Sequence, residues 1–321
     1  MKATAIAHPI QGLIKYHGLK DREKRIPFHD SISVCARELQ TTTTVETVSS
    51  AGEGTVTVNG KLLLGKDRQR VEVVLDQFKK LADYNAYFKV SSANSLVEGK
   101  GLGFSASGFA ALGLAASKAL GLDLDYVSLS EIVRLGAGSA TRSLAGDFAL
   151  WYADKNGHSY AESLPYPESI DFCMVIVPIA SAVRTDEAHA EVLSSPLFGA
   201  RLKKISAMVK EMQTAIGEGD ISRIDRLAEE DTLNLHAITM TGKSHLVLWE
   251  PETVRIMREV MQLRKEGTES YYSMDTGPSV FINTFKENVD VIIDRLQCLG
   301  FSKMVVSAIG GKPRIVGKHL F

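Results

Sequence analysis

The sequence is poor in cysteine and has no long apolar run. Its three cysteines, Cys35, Cys173 and Cys298, are widely scattered in a chain of 321 residues. An odd number of distant cysteines predicts reduced thiols and argues against a disulfide framework or a metal cluster. No stretch of about 18 uncharged apolar residues occurs, and the first residues lack the apolar run of a secretory signal. We therefore expect a cytoplasmic protein without a membrane-spanning segment.

An excess of charge of either sign is also absent. Lys and Arg number 37 against 38 Asp and Glu, so the formal net charge is -1. Without an overall positive field, neither nucleic acid nor an acidic membrane surface is the expected partner, and local basic groups must hold any anionic substrate. Hydrophobic residues make up 45% of the chain. That share is ample for a well-buried core in one large or two fused domains.

The periodicity of apolar residues predicts strands and turns followed by helices in the first half, and long amphipathic helices with few strands in the second. Predicted strands are residues 3–10, 42–48, a hairpin within 54–64 turning at Asn59-Gly60, 87–92, 172–179, a strand near Tyr271, 279–283 and 304–309. Predicted helices are residues 71–84, 107–120, one opened by a capping box at Ser128–Glu131, 200–216, 221–236, 251–265 and 288–299. The second half then has the order of an α+β lobe.

A glycine-rich segment before the second predicted helix is the first candidate for binding. Gly101, Gly103, Ser105, Ser107 and Gly108 lie in GLGFSASG. Glycines let the backbone approach a ligand closely, and a helix start offers unpaired N–H groups to an anion. A tight turn packed on a sheet explains the spacing equally well. The segment is neither a GxxxxGK[ST] loop nor a GxGxxG fingerprint, which disfavours both standard nucleotide folds.

Two further segments carry groups suited to an anionic substrate. Ser139 and Arg142 are three residues apart at the start of a predicted helix, where they share one face. An arginine there can hold a carboxylate or phosphate through two hydrogen bonds, although close helix packing with a solvated arginine explains the pattern too. Asp275 lies in a turn rich in Gly and Pro, where an aspartate more often caps a turn than acts as a catalyst.

Together these segments resemble the GHMP kinase superfamily, and specifically its mevalonate diphosphate decarboxylase branch. Five blocks are similar to that family's motifs in the same order: residues 15–20 (KYHGLK) to KYWGKR, 27–33 (PFHDSIS) to PxNxSxS, 101–111 (GLGFSASGFAA) to GLASSASGFAA, 138–146 (GSATRSLAG) to GSACRSLYG, and 274–279 (MDTGPS) to FDAGPN. The resemblance implies an α+β GHMP fold, with a ribosomal-S5-like N-terminal domain in residues 1–188 and a ferredoxin-like C-terminal domain in residues 189–321. The active site is then expected between the two.

The same resemblance implies roles for individual residues. Asp275 matches the aspartate beside the reacting tertiary carbon, and Arg142 and Ser139 match groups that bind the substrate near its carboxylate. The substrate-binding set is completed by matches at Lys15, Tyr16 and, in a looser alignment, Arg184. Gly101, Gly103, Ser105, Ser107 and Gly108 match the phosphate-binding loop. In that family a phosphate leaves carbon 3 of a phosphorylated mevalonate, CO2 departs, and a terminal alkene forms.

Two departures from the family pattern bear on the substrate. Leu19 stands where the motif has a lysine, and residues 94–100 (NSLVEGK) replace the usual approach to the glycine-rich loop. These forms resemble an archaeal subgroup containing ATP-dependent phosphomevalonate decarboxylases and an ATP-independent enzyme for mevalonate 3,5-bisphosphate. The monophosphate enzymes of this form are mainly from salt-loving archaea, which the balanced charge does not resemble. The sequence therefore favours the bisphosphate enzyme, with no cofactor and no metal.

Other interpretations stay open at this point. An ATP- and Mg²⁺-dependent phosphomevalonate or diphosphomevalonate decarboxylase is the main alternative. A mevalonate 3-kinase is disfavoured because Asp275 keeps the decarboxylase motif, and a non-catalytic S5-like RNA-binding protein would need a basic patch that the sequence does not indicate. The expected partner is a small phosphorylated mevalonate, with neither nucleic acid nor membrane, and a homodimer remains open.

Overall fold

The computed structural model describes residues 1–48, 54–85, 87–97, 99, 101–181 and 185–321, with the side chains of residues 185–187 left out. Its strands are β1 Lys2–Ala7, β2 Ile10–Ile14, β3 Leu19–Asp21, β4 Ile26–Pro27, β5 Ser31–Cys35, β6 Thr41–Val48, β7 Thr55–Val58, β8 Lys61–Leu62, β9 Tyr87–Asn94, β10 Phe148–Trp151, β11 Ala161–Ser163, β12 Phe172–Val177, β13 Ser270–Ser273, β14 Val280–Phe285, β15 Val305–Ser307 and β16 Arg314–Val316. Its helices are α1 Gly65–Leu81, α2 Phe104–Leu120, α3 Tyr126–Gly136, α4 Ala140–Ala145, α5 Thr185–Glu191, α6 Phe198–Glu218, α7 Ile221–Met240, α8 Pro251–Lys265 and α9 Val289–Cys298.

Three larger sheets organise these elements. The first has the order β16-β1-β6-β9-β7-β8, the second β11-β10-β5-β2, and the third β13-β14-β12-β15. Helices α1 to α4 belong to one apolar core on the first sheet, and α6 and α7 pack in a second core with β2, β5, β10 and β12. A third core joins α8 and α9 to β12, β13 and β14. β12 lies before the predicted domain boundary at residue 188, and it pairs with β14, which lies after that boundary. The division after residue 188 stays a prediction.

Most predicted elements are present, with local differences that have physical causes. The predicted strand 3–10 is interrupted, because β1 ends at Ala7 and β2 begins at Ile10, after Pro9. The capping box at Ser128 was wrong: α3 begins at Tyr126, and the Asp125 carboxylate accepts a hydrogen bond from the Ser128 N–H. Aspartate is as good an N-cap as serine, so the helix starts one turn earlier.

The glycine-rich segment forms the entry to α2. Gly103, with φ of +74°, immediately precedes the helix, and a Cβ there would lie 2.4 Å from the Ile10 carbonyl oxygen. A Cβ on Gly101 would lie 2.9 Å from the Gly277 Cα. Only glycine tolerates both the left-handed backbone and this spacing. The segment is therefore wedged between β2 and the turn that carries Asp275.

Candidate active site

The predicted catalytic and substrate-binding residues described first come from three separate parts of the chain. Lys15 and Tyr16 directly follow β2, Arg142 lies in α4, and Asp275 lies between β13 and β14. A Cβ on Gly12 would lie 2.8 Å from the Asp275 Oδ1 and 2.8 Å from the Lys15 Cγ. The carboxylate and the lysine side chain therefore both pack against Gly12 of β2. The glycine at this point of β2 therefore leaves room for both side chains.

Asp275 is a poorly solvated carboxylate held by the backbone. The Gly12 N–H donates to its Oδ1 at 3.1 Å and its Oδ2 at 3.3 Å. Burial raises the pKa of Asp275 to about 6, although the charges of Lys15 and Arg142 and the hydrogen bond from Gly12 oppose that rise. A carboxylate with such a pKa can exchange a proton near neutrality.

Lys15 is a buried ammonium with a small set of partners. Its Nζ donates to Ser273 Oγ at 3.0 Å and to the Ala228 carbonyl at 3.5 Å. Burial lowers the pKa of Lys15, and the nearby carboxylates of Asp231 and Asp275 partly offset the effect. The lysine thus supplies a cation beside Asp275 in a region with little water.

Arg142 is buried and incompletely hydrogen-bonded. Its guanidinium carbon lies 5.4 Å from the ring centroid of Tyr16 and 5.9 Å from that of Trp151, and its Nη1 is 3.5 Å from the Ile32 carbonyl oxygen. Its Nε has no hydrogen-bond partner among the described residues. A buried donor without a partner is costly. A buried guanidinium of this kind is chemically suited to bind an anion such as a carboxylate.

Tyr16 and Ser139 border this group. The Tyr16 ring stacks on His189 at 4.7 Å between centroids and meets Trp151 edge-on at 4.9 Å. Ser139 immediately precedes the six-residue α4 and is half-buried. A Cβ on Gly138 would lie 2.6 Å from Trp151 and 3.3 Å from the Tyr16 hydroxyl, so the small residue lets α4 approach the aromatic side chains.

The glycine-rich loop separates into residues that face outward and residues that support the helix. Ser105 is exposed, and Ser105 and Gly108 line a cavity of about 230 Å³ whose apolar wall includes Val56, Leu63 and Phe109. Ser107 is buried, and its hydroxyl is hydrogen-bonded to Thr41 at 2.7 Å. Ser105 is thus placed to meet a ligand, whereas the Ser107 hydroxyl joins α2 to β6. Arg184 lies outside the described residues, and its predicted role stays a prediction.

Sequence reasoning missed the second layer of this site. Asp231 and Arg201 form a buried ion pair at 2.8 Å, and Ser273 Oγ accepts a hydrogen bond from the Lys15 ammonium. Asp231 occupies a position of the apolar face of α7, between Ala228 and Leu235. A charged residue at such a position rarely stays buried without a partner, and this was the available signal.

Among the residues that the structure describes, no three His, Cys, Asp or Glu side chains lie together as metal ligands do. Within the same ranges, every helix is too short or too polar to span a bilayer.

The site brings a buried arginine and a buried lysine near a carboxylate of raised pKa, an arrangement typical of an enzyme. Residues 7–163 match the family model of the diphosphomevalonate decarboxylase-like N-terminal domain, and residues 182–312 match that of the mevalonate 5-diphosphate decarboxylase C-terminal domain. The chain belongs to this family of mevalonate-pathway decarboxylases, which are carboxy-lyases. The α+β GHMP fold predicted from the sequence is confirmed.

Three relatives indicate where the chain stands within the family. A phosphomevalonate decarboxylase from Haloferax volcanii is 38% identical and covers 98% of each chain. A mevalonate 3,5-bisphosphate decarboxylase from Thermoplasma acidophilum is 26% identical, over 89% of this chain and 73% of the relative. The solved mevalonate diphosphate decarboxylase from Enterococcus faecalis, described for its ATP binding mechanism, is 29% identical with a TM-score of 0.92 over 99% of each chain.

Proposed function

We propose that this chain is an ATP-dependent phosphomevalonate decarboxylase. It converts mevalonate 5-phosphate and ATP into isopentenyl phosphate, CO2, ADP and phosphate. The observation that carries the proposal is the cavity beside Ser105 at the entry to α2, a few residues from the loop wedged against the Asp275 turn. An enzyme whose substrate arrives fully phosphorylated needs no second binding site there.

The relatives support this choice over the ATP-independent reaction favoured by composition. The relative that acts on phosphomevalonate is 38% identical, against 26% for the one that acts on mevalonate 3,5-bisphosphate. Charge balance is a property of the whole surface and follows the solvent in which a protein works. It therefore says less about the substrate than similarity spread over 98% of the chain does.

The cavity has the character of a nucleoside site. Val56, Leu63 and Phe109 form an apolar wall, and Ser92 and Asn94 supply polar groups. Such a mixture suits a heterocyclic base with a ribose. The exposed Ser105 and the N–H groups at the start of α2 lie beside it and would hold the phosphates of ATP. ATP with Mg²⁺ would supply the phosphoryl group for carbon 3.

Asp275 is the base in the proposed reaction. Its pKa of about 6 leaves most of it ionised at neutral pH, ready to receive the proton of the 3-hydroxyl as that oxygen becomes phosphorylated. An incoming 3-phosphate ester carries no such proton. A well-placed base is therefore more useful to an ATP-dependent enzyme than to an ATP-independent one.

Arg142, Ser139, Lys15 and Tyr16 bind and orient the substrate in this proposal. Arg142, whose Nε has no hydrogen-bond partner in the described part of the chain, and Ser139 hold the carboxylate. Lys15 neutralises charge beside Asp275, and Tyr16 borders the substrate. The C1–C2 bond then breaks as phosphate leaves carbon 3, and its electrons form the C2=C3 alkene. Holding the carboxylate so that the two bonds align lowers the barrier to this step.

The ATP-independent decarboxylation of mevalonate 3,5-bisphosphate is the second candidate. Leu19 favours it, because an apolar side chain occupies the position of a cation in the diphosphate enzymes that the sequence resembles. The loss of a cation is equally expected when the substrate carries one 5-phosphate instead of two. A homodimer and the division of domains after residue 188 remain proposals alongside either reaction.

One substrate comparison tests the proposal. The protein is incubated with mevalonate 5-phosphate, with and without ATP and Mg²⁺, and with mevalonate 3,5-bisphosphate alone, and isopentenyl phosphate and CO2 are measured. We expect product from the monophosphate only when ATP is present, and calorimetry should show Mg²⁺-dependent ATP binding. Turnover of the bisphosphate alone, with neither ATP binding nor turnover of the monophosphate, would establish the second candidate. Asp275→Asn should retain ATP binding while losing turnover.

A further inference from the structure

A buried ion pair joins helices α6 and α7 beside the candidate site. Arg201 of α6 and Asp231 of α7 are joined at 2.8 Å, with side chains 1% and 0% exposed. Burying two charges costs several kcal/mol, and replacement by well-packed apolar residues is often neutral or stabilising. Stability alone is therefore a weak explanation of this pair, and the groups that it contacts indicate a further use.

The ion pair encloses the main chain of Lys15. The Lys15 N–H donates to Asp231 Oδ2 at 2.7 Å, and Arg201 Nη2 donates to the Lys15 carbonyl oxygen at 2.6 Å. Both polar groups of one residue's backbone are thus bound to the two members of the pair. Hydrogen bonds to charged groups are shorter and stronger than neutral ones. Lys15 is consequently held from both sides by α6 and α7.

The next residue of α7 contacts the strand that leads to Asp275. The Thr232 hydroxyl lies 3.2 Å from Ser273 Oγ and accepts a hydrogen bond from the Met274 N–H at 3.4 Å. Ser273 Oγ also accepts a hydrogen bond from the Lys15 ammonium. Consecutive residues of one helix therefore contact the end of β2 and the end of β13. The separation between Lys15 and Asp275 is set through this turn of α7.

The charge of Asp231 also affects Lys15 directly. Burial lowers the pKa of Lys15, and the Asp231 carboxylate is the strongest opposing influence. For Asp231 itself, burial raises the pKa, but Arg201 and Lys15 outweigh that effect and keep the carboxylate ionised. Loss of the carboxylate would make the Lys15 ammonium easier to deprotonate.

We propose that Arg201 and Asp231 are positioning residues of the decarboxylase: they hold the Lys15 backbone at a set distance from Asp275 and keep its ammonium charged. The inference rests on the roles proposed for Lys15 and Asp275, but not on which phosphorylated mevalonate is the substrate. It assigns a reaction-related role to two residues that the sequence motifs do not include.

The test compares Asp231→Asn and Arg201→Lys with a control on the same helix. Glu230→Gln is the control, since Glu230 joins the same two helices through an exposed ion pair with Lys204. For each variant the thermal midpoint, kcat, KM and the pH dependence of kcat are measured. The assay uses whichever of the three phosphorylated mevalonates the wild type turns over, so a wrong substrate in the proposed function leaves this comparison intact.

We expect kcat to fall at least about tenfold in Asp231→Asn and Arg201→Lys, because small displacements of a catalytic group are expensive. KM should change less, and in Asp231→Asn the alkaline limb of the kcat profile should move to lower pH, because the Lys15 ammonium loses a neighbouring negative charge. The control variant should keep the wild-type kcat and the wild-type alkaline limb of the kcat profile, even if its thermal midpoint falls.

A kcat within about twofold of wild type in folded Asp231→Asn, with an unmoved alkaline limb, would overturn the proposal. If Asp231→Asn does not fold, Arg201→Lys decides by the same kcat criterion. If neither folds, the ion pair is a requirement of folding and the positioning role is rejected.

Discussion

Asp275 is partly buried and Arg142 is buried, and burial acts on their pKa values in opposite directions. Burial raises the pKa of the Asp275 carboxyl to about 6 and lowers that of the Arg142 guanidinium. Each charge also favours the ionised form of the other. The site therefore holds a base that titrates just below neutrality, beside a guanidinium that stays charged.

The pH dependence of catalysis should report this carboxylate. Below pH 6 Asp275 is protonated and cannot accept a proton, so kcat/KM should fall on the acid side with a midpoint near 6. Because the folded-state pKa is raised, ionisation of Asp275 disfavours the fold, and Asp275→Asn should not lower the thermal midpoint at pH 8. Turnover in that variant should collapse. Full activity in Asp275→Asn, or an acid limb with a midpoint near 4, would contradict the role as base.

Arg142 gives a second prediction at the same scale. A lysine keeps the charge of Arg142 but loses the planar fork that binds a carboxylate through two hydrogen bonds. Arg142→Lys should cut kcat/KM at least about tenfold, a loss of about 1.4 kcal/mol in transition-state binding. Steady-state kinetics on protein shown to be folded by circular dichroism checks this. Near-normal kinetics would remove Arg142 from the site.

The position of the segment that leads into α2 depends on glycine residues, which have no side chain. Gly103 and Gly60 have nearly equal positive φ values, +74° and +75°, but a Cβ on Gly103 meets the Ile10 carbonyl at 2.4 Å and one on Gly60 meets nothing within 4 Å. A substitution at Gly60 therefore measures the cost of backbone strain alone, and the same substitution at Gly103 adds the cost of the close contact with Ile10.

Gly60→Ala should lower the free energy of unfolding by about 1 kcal/mol, the cost of a left-handed non-glycine residue. Gly103→Ala should lower it by at least about 2 kcal/mol, because the loop must also move away from β2. It should weaken ATP binding as well, whereas Gly60→Ala should leave binding unchanged. Urea unfolding and calorimetry measure both effects. Equal losses of stability would show that the contact with Ile10 can relax freely.

At the scale of the whole molecule, the last strand returns to the first. β16 pairs antiparallel with β1, although the preceding strand, β15, belongs to the third sheet. The Thr4 hydroxyl is hydrogen-bonded to His319 Nδ1, and the Leu320 N–H donates to the Thr44 hydroxyl. The end of the chain therefore completes the first sheet, while the candidate site lies at the ends of β2 and β13.

Removal of residues 313–321 should lower the thermal midpoint and leave kcat of the folded enzyme within about twofold. The truncation uncovers one edge of β1 without touching Lys15, Arg142 or Asp275, and an exposed sheet edge is both less stable and prone to association. Differential scanning calorimetry and assays below the midpoint measure the two effects. A loss of kcat comparable to that of Asp275→Asn would show that β16 supports the site.

Local patterns were sufficient for most of the helices. The apolar repeat located α8 at residues 251–265 with the observed bounds, because Pro251 begins the helix and a buried stripe runs through it. Short strands without a distinctive repeat, such as β5 and β10, were not predicted. Their residues are buried by neighbours far away in the sequence, so the pattern alone does not reveal a strand.

The sequence by itself determined the family and the GHMP fold, and it predicted the residues proposed to carry the chemistry, since each motif keeps its residue types in a fixed local order. Only the tertiary structure decided how those residues are held: Asp275 against the Gly12 N–H, and Lys15 between Asp231 and Arg201. These contacts join residues about 190 to 260 positions apart. Their energies depend on burial, which no local window of sequence contains, because burial is produced by the packing of all the elements together.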